Sequence, residues 1–92
     1  MALWTQDQAI AFETARECIT DMMGICSGQL AQERAKTVPD EKVVAEILAE
    51  RTRLSQERDR LRVLDDACVA RATEFYGRAV REWRQGQVSA SE

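Results

Sequence analysis

One proline, Pro39, stands in a chain of 92 residues. Proline has no backbone N–H and its ring clashes with the preceding turn, so a helix cannot run straight through it. The sequence on either side is patterned at helical spacing. Pro39 therefore divides it into two long helices. Thr37-Val38-Pro39-Asp40-Glu41 reads as the end of one helix and the start of the next. Pro39 falls at the first helical position, and Asp40 and Glu41 lie at the positive end of the dipole. Upstream, Thr5-Gln6-Asp7-Gln8 is a capping box, with Trp4 and Ala9 placed to staple it. These marks set helix one at about 6–36, a turn at 37–38 and helix two at about 39–85. A small polar tail, 86–92, is expected to fray. The fold expected is a single all-α domain over 1–92, an antiparallel helical hairpin.

Helix one carries Ala11, Phe12, Ala15, Cys18, Ile19, Met22, Met23, Ile25, Cys26 and Leu30, a stripe wider than a coiled-coil seam. Glu13, Glu17 and Asp21 lie beside it at i, i+4 and i+8. Gly24 and Gly28 share one face and each costs about 1 kcal/mol relative to Ala. A close helix–helix crossing or a local bend is the expected reason, with a ligand groove as the alternative.

In helix two, Ile47, Leu54, Leu61, Cys68 and Phe75 recur every seven residues. Continuous, that helix spans about 70 Å at 1.5 Å per residue, against about 45 Å for helix one. The alternative is a break around Leu64-Asp65-Asp66, with an Asp capping a third helix. Folding at Thr37–Val38 pairs residue i with roughly residue 75 − i, which brings Glu17 to Arg58, Glu13 to Arg62, and Ile19 and Met22 to Leu54. With helix two continuous, residues 71–84 then overhang. They hold three of the five aromatic residues (Phe75, Tyr76 and Trp83), together with Val80, Arg71, Arg78, Arg81 and Arg84. An unpartnered face of this kind calls for a partner.

Catalysis finds little to use. The chain has no histidine, the commonest acid–base group and metal ligand. It has no phosphate-binding glycine loop and no nucleophile–base arrangement. The i,i+4 pairs Glu13/Glu17 and Glu46/Glu50 resemble metal-holding pairs of all-helical nucleotide pyrophosphatases, but the hairpin separates them along its axis. The stretch Leu48-Ala49-Glu50-Arg51 superficially resembles the arginine-bearing helix of small chorismate mutases, a helix that would have to open the chain. In length and shape the chain is similar to secreted Trp-x-Gly helical hairpins, but Thr-Val-Pro-Asp stands at the turn instead of their motif. No family match survives, and no enzyme, cofactor or metal site is expected. Cys18, Cys26 and Cys68 are odd in number and lack CxxC spacing, which fits free thiols in the cytoplasm. No membrane span or signal peptide is visible.

Charge is divided unevenly. Residues 1–50 carry four basic and nine acidic groups, and residues 51–92 carry nine and seven, so −5 stands against +2 in a chain of net −3. Arg51, Arg53, Arg58, Arg60 and Arg62 offer an RNA- or DNA-binding reading, although carboxylates interleave with them. The favoured function is protein binding, through an interface of Phe75, Tyr76, Arg78, Val80, Arg81 and Trp83. A core this small buries only roughly 60–65% of the unfolded surface, so a homodimeric bundle is expected too. Inhibitors, adaptors, chaperones and regulatory subunits, including phage-encoded ones, share this build.

Overall fold

The first helix starts where its capping signature places it. In the computed structural model, which describes residues 3–90 and side chains as far as Gln87, α1 runs Gln6–Arg34. The Thr5 hydroxyl accepts the Gln8 N–H at 3.0 Å, and the Gln8 side chain accepts the Thr5 N–H at 2.9 Å. Two amides at the helix start are thereby satisfied locally.

The second helix, α2, runs Glu41–Arg60, and Pro39 is not its first residue. Asp40 is the N-cap, its Oδ1 accepting the N–H groups of Lys42 and Val43 at 3.0 and 3.4 Å. A side-chain oxygen at the cap pairs amides that a proline ring leaves bare, so Asp40 sets the boundary and Pro39 stays outside. Glu33, buried at the end of α1, completes the corner. Its Oε2 accepts the Asp40 N–H at 3.0 Å, and its Oε1 the Lys36 ammonium at 2.9 Å. These two bonds, the backbone one first, hold the Glu33 carboxyl below its ordinary range.

The continuous second helix does not form. The chain leaves helical geometry at Leu61 (φ −60°, ψ 140°), and α3 begins at Asp66 and runs to Ala90. No glycine or proline marks this break; side chains satisfy its ends. Arg62 Nη1 donates to the carbonyls of Asp59 and Leu61 at 2.8 and 2.9 Å, and Asp65 Oδ1 accepts the Cys68 N–H at 3.1 Å. What the break gains is burial. Val69, Ala72, Tyr76 and Val80 now form the covered stripe of α3, each large side chain contributing about 1.5–3 kcal/mol as an upper estimate. The expected frayed tail is helical as far as Ala90; residues 91–92 lie outside the described part.

All three elements are helices, and no strand occurs among the described residues. The middle position belongs to α1, which packs against both others, while α2 and α3 make no close backbone approach to each other among the described residues. Contacts with α2 run in opposite senses, Thr20 meeting Arg58 and Glu33 meeting Asp40. Contacts with α3 run in the same sense, Gln8 meeting Asp66 and Asp21 meeting Arg84. Ala15, Ile19, Cys26, Leu54, Leu61, Val69, Ala72 and Tyr76 form one core, with Met22 and Ile47 against it. The α1–α2 register thus lies within a few residues of expectation, but the ion pairs expected across it do not form. Arg58 donates to the Thr20 hydroxyl rather than meeting Glu17, and Glu13 pairs with Arg16. The result is a slab of 56 × 30 × 18 Å with a cleft between α2 and α3.

Candidate functional site

The break resets the phase of the seven-residue repeat, and this decides which side chains of α3 can meet a partner. Leu54 and Leu61 sit in the core as the repeat requires, but the next such buried position is Val69, eight residues on instead of seven. Tyr76 takes the buried place at 6% exposure, and Phe75 turns outward at 66%. Val80 is 3% exposed and Trp83, three residues on in the same stripe, is 37% exposed. Tyr76 and Val80, expected in a partner interface, therefore belong to the chain's own core. The overhang of residues 71–84 does not exist, because α3 lies along α1.

The arginines of α3 divide in the same way. Arg84 reaches Asp21 of α1 at 3.8 Å. The Arg81 guanidinium lies over Gly77 at the close approach of α3 to α1, where a Cβ on Gly77 would stand 3.3 Å from Arg81 Nη1 and 3.6 Å from Cys18 Sγ. Arg84 is paired within the chain, whereas Arg81 makes no ion pair among the described residues. Arg71 and Arg78 remain on the outer face, where Arg78 meets Glu74 at 3.2 Å and Arg71 donates to Cys68 Sγ at 3.1 Å. With Phe75, Ala79 and Glu82 they line a shallow depression of about 420 Å³. Glu74, Ala79 and Glu82 were not expected at an interface. Ala79 and Glu82 fall at i+4 and i+7 from Phe75, and Glu74 at i+3 from Arg71, a helical spacing readable only once the phase of α3 is known.

A second depression, about 480 Å³, lies between α3 and α2, bounded by Leu61, Cys68, Ala72, Phe75 and Tyr76 with Glu57, Arg60 and Arg71 at its rim. Phe75 forms the ridge between the two depressions, its ring set edge-on to that of Tyr76 at 5.0 Å and 89°. Tyr76 is braced from α2, its hydroxyl accepting from Arg53 Nη1 at 3.3 Å while Arg53 Nε donates to Glu50 at 3.0 Å. These bonds hold the guanidinium charged and the Glu50 carboxyl below its ordinary range.

The α2 arginines do not form one basic surface. Arg53 is held by Glu50 and Tyr76, and Arg60 lies 3.9 Å from Glu57. Arg58 turns into the α1–α2 seam with its Nε buried and without a hydrogen-bond partner, and Arg62 caps α2. Arg51 and Arg62 are exposed and make no ion pair among the described residues, and of the two only Arg51 also makes no hydrogen bond there. Phosphate binding would require breaking several of these contacts.

The three cysteines are free thiols. Burial pushes Cys18 and Cys26 up, reinforced at Cys18 by Asp21 and Glu17 and at Cys26 by Glu50. Among the described residues no group of three or more Cys, Asp or Glu side chains is gathered to hold a metal ion, and no helix is long and apolar enough to cross a membrane. Nor do Gly24 and Gly28 mark a crossing within the chain, since a Cβ at either would meet nothing within 4 Å. No family model, curated protein or solved structure matches the chain.

Proposed function

We propose that this chain is a non-catalytic helical protein that acts by binding another protein, as an inhibitor, adaptor, chaperone or regulatory subunit, and that it self-associates into a dimeric helical bundle. The observation that carries this reading is Phe75. A large aromatic side chain, 66% exposed on a well-braced helix and flanked by Arg71 and Arg78, is the composition of an interaction anchor rather than of a solvated face. Trp83, 37% exposed, and Arg81 lie further along the same helix. Three free thiols fit a reducing compartment such as the cytoplasm.

The test compares wild type with Phe75→Ala plus Arg78→Ala, checking that helicity is unchanged. Loss of both the light-scattering mass above monomer and a reproducibly captured partner is expected. If neither changes, α3 is not the interaction element. The RNA- or DNA-binding alternative would be supported by a mobility shift that persists at about 150 mM salt and is lost on Arg58→Glu with Arg60→Glu.

A further inference from the structure

Within the reading that α3 is the interaction element, its outer face carries a pattern that specifies an occupant. Arg71, Glu74, Arg78 and Glu82 alternate in sign along three turns, with Phe75 and Ala79 between them. Arg71 and Glu82 are eleven residues apart, so they share one face at a separation of roughly 16 Å. Neither Glu82 nor Arg71 makes an ion pair among the described residues, although, after the Cys68 backbone N–H, the Arg71 charge helps to hold the Asp65 carboxyl below its ordinary range. Placed parallel and in register, two copies of this face would set Arg71 against Arg71 and Glu82 against Glu82. Placed antiparallel, about a two-fold axis between Tyr76 and Gly77, every charge meets its opposite. Arg71 faces Glu82 of the second copy, Arg78 comes beside Glu74 of the second copy, and both contacts occur twice. The same operation lays each Phe75 ring over the other copy's Ala79, large against small, in the depression that Ala79 floors.

We infer that the occupant of this face is a second copy of the chain, docked α3 against α3 in antiparallel orientation. A two-fold contact must be self-complementary, and this face is so in charge and in side-chain size. A helix face three turns long buries less than the roughly 800 Å² per partner of a stable interface, so the dimer is weak and forms with rising concentration. Because its rim is charged, it also weakens with salt.

Sedimentation of the full chain from about 10 µM to about 1 mM reads the association. The wild type should pass from monomer to dimer, and Arg71→Glu or Glu82→Arg alone should each weaken dimerisation by about tenfold or more. An equimolar mixture of the two variants should recover a heterodimer near wild-type affinity, because one copy then presents two carboxylates to the other's two guanidiniums. The double variant Arg71→Glu/Glu82→Arg should recover a homodimer. Arg71 and Glu82 are both exposed, and circular dichroism checks that each variant keeps its helicity. A wild type monomeric at about 1 mM, or a mixture no tighter than its components, overturns the antiparallel dimer. If the mixture fails while Phe75→Ala still abolishes association or partner capture, the orientation is wrong and α3 remains the binding face. If Phe75→Ala changes neither, both fall together.

Discussion

Exchanging the roles of two adjacent residues tests the architecture directly. If helix two were continuous, Phe75 would stand in the seam with Leu54 and Leu61, and Tyr76 would lie outside it. In the three-helix arrangement Tyr76 is 6% exposed and Phe75 is 66% exposed. Truncating a buried aromatic side chain to Ala costs about 3–5 kcal/mol, and Tyr76 also loses its contact with Arg53. Phe75 has only about a third of its surface covered, which scales the transfer value for a fully buried Phe to about 0.5–1 kcal/mol. A domain of this length has a total stability of about 5–14 kcal/mol. Tyr76→Ala should therefore remove a large share of it, lowering the melting temperature by at least about 12 °C, against less than about 8 °C for Phe75→Ala. Urea titration followed by far-ultraviolet circular dichroism, at low micromolar protein to keep the chain monomeric, measures both. A cost for Phe75→Ala equal to or above that of Tyr76→Ala would refute the broken helix and restore the continuous one.

Three further outcomes follow from single features. Gly24→Ala and Gly28→Ala place a methyl group in open space, so each should stabilise the monomer by about 0.5–1 kcal/mol in a urea titration; destabilisation would show a close contact that the isolated chain does not make. The folded-state pKa of Glu33 is depressed, so its contribution is present above the unfolded carboxyl range and is lost as pH falls through the folded value. Acid unfolding should accordingly steepen below about pH 4.5, and Glu33→Gln should be less stable at neutral pH while losing less on acidification; equal pH dependence in the two proteins would count against the corner. Cys26 is buried and its thiol is pushed up by that burial, so at neutral pH it should be the slowest of the three cysteines to react with iodoacetamide, as read by peptide mass spectrometry, and should react only on unfolding.

Local chemistry was legible in the sequence wherever one residue acts on its near neighbours. The capping box at Thr5 and Gln8 needs only four consecutive residues, and α1 starts there. Pro39 marks the corner, but α2 begins two positions later, at Glu41, because Asp40 can both cap α2 and donate its amide to Glu33. That second bond links residues seven apart and has no sequence signature. The α1–α2 register was readable because apolar stripes of fixed helical period can pair in few ways across a short turn, and Ile19, Met22 and Leu54 do share one core.

The sequence by itself determined an all-helical chain, its first helix start and the side of α1 that is covered. Each of these follows from periodicity and caps, which are properties of a segment. Only the tertiary structure decided that the chain breaks after Arg60 and that Tyr76, rather than Phe75, is inside. Arg62 and Asp65 can cap helix ends or lie on a continuous helix with nearly equal local cost, so local chemistry does not choose between the two. The choice falls to α1, whose surface can cover Val69, Tyr76 and Val80 only if α3 turns back along it, and that same turn leaves Phe75 outside.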